Sequence, residues 1–209
     1  MPAETKSERR AAVLARRRAV PAEVRRTESR LLREHLPGVV DGAATVCAYW
    51  PVGSEPGSPE LLDRLAELCG AVLIPVTVIG PGGEHEPLRW GDYQPGHLIE
   101  GPFGLREPAG PSRGPEAIAE ADLVLVPALS VDRRGVRLGR GGGFYDRSLR
   151  LCRPDTRLVA VVRDDEVVDE LPGEAHDVPM THALTPAGLI TLGSSSGGSS
   201  SGGGMPDAG

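Results

Sequence analysis

Four short apolar runs set the rhythm of the chain. Residues 44–50 (ATVCAYW), 71–76 (AVLIPV), 123–126 (LVLV) and 157–162 (RLVAVV) are continuous rather than alternating, as strands buried on both faces are. Residues 59–68 lie between the first two and read as a helix opened by Pro59. Residues 145–151 read as another helix, 167–171 as a short connection and 189–192 as a final short strand. Strand, helix and strand in succession argue for a parallel sheet covered on both faces. The expected fold class is therefore α/β, a three-layer α/β/α sandwich with a mainly parallel, Rossmann-like sheet.

The ends of the chain read differently. Residues 7–18 are rich in Ala and Arg and patterned as a helix, and Pro21 suits the first position of a second one. Val24, Leu31, Leu32 and His35 fall roughly on one face of that second helix. Residues 80–114 carry many Gly and Pro and read as loop, with a short strand near 88–90. From 194 to 209 the chain is Gly/Ser-rich with Met205 as its single large apolar residue, and such a stretch buries too little to order itself. One domain over residues 1–193, with a basic helical segment at 1–36 and a tail at 194–209, is the expected organisation.

Charge sharpens this picture. The 209 residues carry a net charge of −6, yet residues 1–35 hold ten Lys/Arg against five Asp/Glu, leaving −11 for the remainder. A surface helical hairpin explains the basic segment. A nucleic-acid-binding arm would also be basic, but no aromatics interleave these arginines and the pI is about 5.4, so no nucleic-acid partner is expected. No run of eighteen apolar residues occurs and the first ten residues are polar, so neither a membrane span nor a signal peptide is expected. Cys47, Cys69 and Cys152 are odd in number and scattered, which suits free thiols in a reducing cytoplasm.

The chemistry concentrates in residues 123–149, LVLVPALSVDRRGVRLGRGGGFYDRSL. A buried strand stopped by Pro127 leads into a loop with Arg133, Arg134, Arg137 and Arg140 among Gly135, Gly139, Gly141, Gly142 and Gly143; a helix starts near Phe144. Glycines let a backbone approach closely, main-chain N–H groups face an anion, and guanidinium forks grip oxygens, so this arrangement suits phosphate. The loop lacks the Gly-Lys-Ser/Thr ending of a P-loop, and Phe144 stands where a dinucleotide fingerprint needs glycine. Asp146 follows at once, where a carboxylate can hold Mg²⁺ against bound phosphates. A solvated arginine-rich turn is the plainer reading. Three consecutive glycines are costly to order and four arginines in eight residues repel one another, which favours the phosphate site. No nucleophile elbow accompanies the His176-Asp177 pair, and the HExxH and HxxEH zinc patterns are absent.

The stretch PALSVDRRGVRLGRGGGFYDRSL resembles the signature of the 5-formyltetrahydrofolate cyclo-ligase (5,10-methenyltetrahydrofolate synthetase) family, close to PGxxFDxxGxRLGxGxGYYDR. Ala128, Val131 and Phe144 depart from it, the last removing a tyrosine hydroxyl near the substrate. The resemblance implies the fold shared with sugar-phosphate isomerases and CoA transferases. It implies an ATP-dependent ligase that closes the ring of 5-formyltetrahydrofolate to 5,10-methenyltetrahydrofolate, releasing ADP and phosphate. ATP would then lie against Arg137, Gly139, Arg140, Gly141, Gly142, Gly143, Phe144, Tyr145 and Asp146. Lys6 and Arg10, one helical turn apart, match a family Lys-x-x-x-Arg that holds the nucleotide's phosphates. Arg140 and Tyr145 are the expected catalytic residues, and Asp146 with Asp177 the Mg²⁺ ligands. Glu55, in Glu55-Pro56-Gly57-Ser58, matches an acid that contacts the folate; Phe144 and an aromatic ring complete that pocket, Trp90 being the choice over Tyr93 and Phe103. Thr181 stands where the family frequently has Asp. Partners would be these small molecules alone, on a monomer or weak homodimer. An isomerase or CoA transferase using the same loop without ATP is the alternative, with a nucleic-acid-binding protein behind it.

Overall fold

The computed structural model describes residues 5–174 and 177–193; the expectations for 194–209 and for His176 lie outside the described residues. The chain opens with α1 (Lys6–Ala19) and α2 (Ala22–Val40). Thr5 caps α1 through a capping box, its hydroxyl accepting the Glu8 N–H at 3.2 Å while Glu8 accepts the Thr5 N–H at 2.8 Å. The Thr-x-x-Glu signal stands in the sequence beginning two residues before the helix expected at 7–18. Helix α2 runs past its expected end, through Pro37, because Leu36, Val39 and Val40 bury themselves in the core. Its inward face is Leu32, Leu36, Val39 and Val40; Val24 points to solvent at 41% exposure and is not on it.

Next come β1 (Thr45–Cys47), α3 (Pro59–Leu68), β2 (Ala71–Val76) and β3 (Arg89–Asp92). Strand β1 is shorter than the apolar run that announced it. After a small hairpin of β4 (Leu98–Glu100) and β5 (Arg106–Pro108) follow β6 (Leu123–Pro127), β7 (Ser130–Asp132), β8 (Arg137–Leu138) and α4 (Phe144–Ser148). The chain closes through β9 (Arg157–Val161), β10 (Val167–Val168), β11 (His182–Thr185) and β12 (Gly188–Thr191).

A seven-stranded sheet takes the order β12-β11-β9-β6-β1-β2-β3. The five inner strands are parallel, and β12 and β3 close the edges antiparallel. Each inner strand sends alternate residues to opposite faces, and in β2 and β6 every position is apolar. Leu123, Leu125, Val159 and Val161 pack under α2 and α3, while Val124, Val126, Leu158 and Ala160 face the short helical turns Pro115–Glu120 and Leu149–Leu151. Helices on both faces of a mainly parallel sheet make the three-layer α/β fold.

The loop expected after β6 proves to be half structured. Strands β7 and β8 pair as a hairpin and β10 adds beside β7, a three-stranded sheet whose Val131, Leu138 and Val168 are wholly or partly buried. Strands of two or three residues give no periodic signal. Asp132, fully buried, accepts the N–H groups of Arg134, Val136 and Leu171 at 2.9–3.0 Å and binds the Arg134 guanidinium. Arg133 meets Asp169, and Arg134 also meets Glu170, so these two arginines leave the expected phosphate loop.

Helix α1 is fastened to this platform through Arg17, 1% exposed. Its Nε and Nη2 donate to the two oxygens of Glu166 at 2.7 Å each, and Nη2 also donates to the Ala128 carbonyl at 2.6 Å. Removing one member leaves a buried charge without its counter-ion, whereas replacing both by apolar groups leaves none. Glu166→Ala is therefore expected to cost ~3–5 kcal/mol of unfolding free energy. The double change Arg17→Met/Glu166→Leu is expected to cost much less, with urea unfolding of the two variants as the check.

Candidate functional site

From β1 the chain passes through α3 to β2 on one side, and later returns to β1's other side at β6. Loops leaving the carboxyl ends of β1 and β6 therefore diverge, and a crevice opens between them. Residues of these two loops line a cleft of about 390 Å³, closed on a third side by His85 and Phe103.

The β6 side of the cleft carries the cations. Beyond β8 the backbone turns through Gly141 and Gly143, with φ of 99° and 70°, into α4. Only glycine adopts these angles at little cost, so the turn's sharpness is written in its composition. Arg137, with its side chain 7% exposed, pairs with Asp146 and lies 5.9 Å from the centre of the Tyr145 ring. Burial strains this guanidinium, and the nearby Asp146, Tyr145 and Asp177 hold it charged. Arg140 reaches across the cleft, its Nε 3.0 Å from Oε1 of Glu55. Arg10 comes in from α1, its Nε donating to the Gly139 carbonyl at 2.9 Å.

The β1 side supplies Tyr49, Trp50, Val52 and Glu55. Glu55 is 9% exposed at its side chain and accepts the Val52 N–H at 3.0 Å. Burial raises its pKa above the usual carboxylate value, against the Val52 bond and the Arg140 charge that lower it. The Tyr145 hydroxyl is buried at the cleft with no hydrogen-bond partner among the described residues, and burial pushes its pKa up. An orphaned donor at a cleft wall is suited to a ligand.

Comparison with known proteins places this arrangement. Residues 2–186 match the profile of the 5-formyltetrahydrofolate cyclo-ligase family. The chain belongs to that family. It is 53% identical over 193 residues to the 5-formyltetrahydrofolate cyclo-ligase of Mycolicibacterium smegmatis, covering 92% of this chain and all of that protein. The Escherichia coli cyclo-ligase is 29% identical over 147 residues, 69% of this chain and 79% of that one. Among solved structures, Aquifex aeolicus 5,10-methenyltetrahydrofolate synthetase superposes with a TM-score of 0.71 at 27% identity, over 91% of this chain and 94% of that one. A Mycoplasma pneumoniae synthetase shares the fold with a TM-score of 0.66 at 17% identity, over 87% and 98% of the two chains.

Against the cyclo-ligase signature, the residues divide. Arg137, Gly139, Arg140, Gly141, Gly142, Gly143, Phe144, Tyr145, Asp146 and Glu55 line one cleft, with Arg10 fastened to its rim. Lys6 instead meets Glu174 at 2.6 Å, outside the cleft lining. Asp177 does not line the cleft either; its carboxylate accepts the Glu174 N–H at 2.8 Å, although its charge is felt at Arg137. Trp90 differs most from expectation. It is fully buried among Cys47, Leu73 and Ile118, so it has no free face for a heterocycle. Tyr93 likewise turns away, its hydroxyl donating to Asp63 at 2.6 Å. Thr181, expected to stand in place of a family Asp, exchanges two 3.0 Å bonds with the Leu158 backbone and so serves sheet register.

The rings that do reach the cleft are Tyr49, Trp50, Phe103, Phe144 and Tyr145, with His85 stacked on Phe144. Tyr49 and Trp50 end the first apolar run, and position at the carboxyl end of a strand was the available signal. His85 gave none, lying in an irregular stretch and meeting Phe144 only through the fold.

The raised pKa of Glu55 has a stability consequence with a definite sign. The folded state holds this proton more tightly than the unfolded chain, so stability attributable to Glu55 falls as pH rises from the ordinary carboxylate pKa through the folded one. Glu55→Gln removes that penalty while keeping an acceptor for Val52. The variant is expected to melt higher than the parent at pH 7, with the difference shrinking towards pH 4, as thermal unfolding at the two pH values will show.

Proposed function

We propose that this cleft performs the ATP-dependent cyclisation of 5-formyltetrahydrofolate to 5,10-methenyltetrahydrofolate, with release of ADP and phosphate. The observation that carries the reading is the Arg140–Glu55 contact at 3.0 Å, which brings the glycine–arginine loop against the acid on the opposite wall. Two ligands lying on those walls would meet there. Family membership supports the same activity, and no feature of the cleft favours an isomerase or a CoA transferase. The catalytic unit is read as residues 1–193.

Phosphoryl transfer asks a protein for alignment and charge neutralisation more than for acid–base power. In the proposed sequence the formyl oxygen on N5 attacks the γ-phosphate, and ADP leaves. N10 then attacks the activated formyl carbon, and the departing phosphate takes the former formyl oxygen. Arg137, Arg140 and the main-chain N–H groups of 139–143 would neutralise the triphosphate, with Arg10 bracing the turn through Gly139. Lys6 would have to leave Glu174 to join them. Tyr145 would donate its unpartnered hydroxyl to nucleotide or folate. Glu55 would accept N–H groups of the folate, a role its buried carboxylate can fill once Arg140 turns to phosphate. Phe144 would pack against the ring system, with Phe103 or Trp50 taking the stacking role first expected of Trp90.

Mg²⁺ fits the donors on one side only. Among the described residues no three His, Cys, Asp or Glu side chains converge. Asp146, half exposed on the cleft and paired with Arg137, is a hard oxygen donor of the kind that ion prefers, with waters and phosphate oxygens for its other ligands. Asp177 would act at longer range through Arg137. The ion would add positive charge to the phosphates.

The direct test is absorbance in the methenyl band after mixing protein, MgATP and 5-formyltetrahydrofolate, with ADP release measured in parallel; no product and no ADP would overturn the reading. Arg140→Ala is expected to lower kcat by on the order of 10³, as loss of an arginine at a transferring phosphate does, measured in the same assay. Asp146→Asn is expected to shift the Mg²⁺ titration of activity to higher concentration, and an unchanged titration removes Asp146 from the metal.

A further inference from the structure

Residues 77–88 form a strap between β2 and β3 that passes the mouth of the cleft. Its turn is closed by Gly80 N–H on the Glu84 carbonyl at 2.9 Å and Glu86 N–H on the Val78 carbonyl at 3.2 Å. Its ends are pinned by Thr77 N–H on Glu107 and Leu88 N–H on the Ser148 hydroxyl, both at 2.9 Å. The strap thus grips the end of α4 through Ser148, and it grips the beginning through His85. The imidazole stacks on Phe144 with ring centres 4.1 Å apart and planes 15° from parallel. Nδ1 lies 2.6 Å from the Gly142 carbonyl oxygen. A carbonyl oxygen only accepts, so Nδ1 carries the hydrogen.

That bond fixes something the loop cannot fix alone. Three consecutive glycines have no side chains to hold their peptide planes, and each plane can turn over at low steric cost. In a trans peptide the C=O and the following N–H point to opposite sides. With the Gly142 carbonyl turned to His85, the Gly143 N–H is turned away from it, and that N–H has no acceptor among the described residues. The site is also tight, since a Cβ on Gly142 would stand 3.2 Å from the Phe144 ring and 3.4 Å from Nδ1 of His85.

We infer that His85 is a positioning residue for the nucleotide: it sets the Gly142–Gly143 peptide so that the Gly143 N–H is presented to a phosphate oxygen. This rests on the proposed binding of ATP at the loop. It assigns to the strap a part in the reaction although the strap supplies no charge to the phosphates.

Two substitutions separate the hydrogen bond from the stack. His85→Phe keeps a ring against Phe144 and loses the donor; His85→Asn keeps a donor near Nδ1 and loses the ring. Calorimetry with MgATP on the full chain is expected to show binding about tenfold weaker for His85→Phe, and within about threefold of the parent for His85→Asn. The KM for 5-formyltetrahydrofolate is expected to stay within about twofold in both, which a general loosening of the cleft would not allow. Parent-like MgATP binding by His85→Phe, or equal weakening in both variants, overturns the inference. Should His85→Phe fail to fold, His85→Leu takes its place with the same two outcomes. A parent protein that does not bind MgATP sinks the proposed activity and this inference together; one that binds and turns over while both variants match it sinks only the role of His85.

Discussion

The cleft is held by guanidinium groups answered one by one with carboxylates. Arg17 is sealed against Glu166, Arg137 lies against Asp146, and Arg140 spans to Glu55. The three differ in exposure and therefore in what they can do. Arg17 and Glu166, at 1% and 2%, are too deeply withdrawn to separate and act as a fixed joint between α1 and the small sheet. Arg137 is nearly as buried but its partner Asp146 is half open to the cleft. Arg140 reverses this, half exposed against a buried glutamate. Around the loop there is thus a gradient from permanent to exchangeable pairing, and the exchangeable cation is the one nearest the opposite wall.

This gradient also explains how a loop so rich in arginine folds. Arg133 and Arg134 are drawn to Asp132, Asp169 and Glu170 at one end of the small sheet, away from Arg137 and Arg140. Four cations crowded in eight residues of sequence are in space two pairs facing different carboxylates. The basic helices do likewise: Arg10 and Arg17 are spent on a carbonyl and a carboxylate of the domain itself.

Much of the fold was legible because β1, β2, β6 and β9 lie in mostly apolar runs flanked by turn residues; α3 and β2 begin and end where Pro59, Leu68, Ala71 and Val76 suggested. What stayed hidden was short or irregular. Strands β7, β8 and β10 have two or three residues each, and β11 mixes His182 and Thr185 with Ala183 and Leu184, so neither periodicity nor run length marks them. The glycine–arginine loop and Glu55 were legible at the site through spacing and resemblance. Trp90 was misplaced because a scarce aromatic in a loop-like stretch looks exposed, whereas the bridge to Arg113 and the turn Pro115–Glu120 enclose it. His85 was invisible because its meaning lies in one carbonyl 57 positions away.

Arg10 reaches a carbonyl 129 positions further along the chain, and Lys6 a carboxylate 168 positions away. During translation Lys6 and Arg10 therefore emerge long before either partner exists. The Arg10 brace can form once the chain is made as far as Gly139, whereas the Lys6 contact waits for Glu174, so a product cut short between the two keeps the brace on the loop and lacks the outer tie.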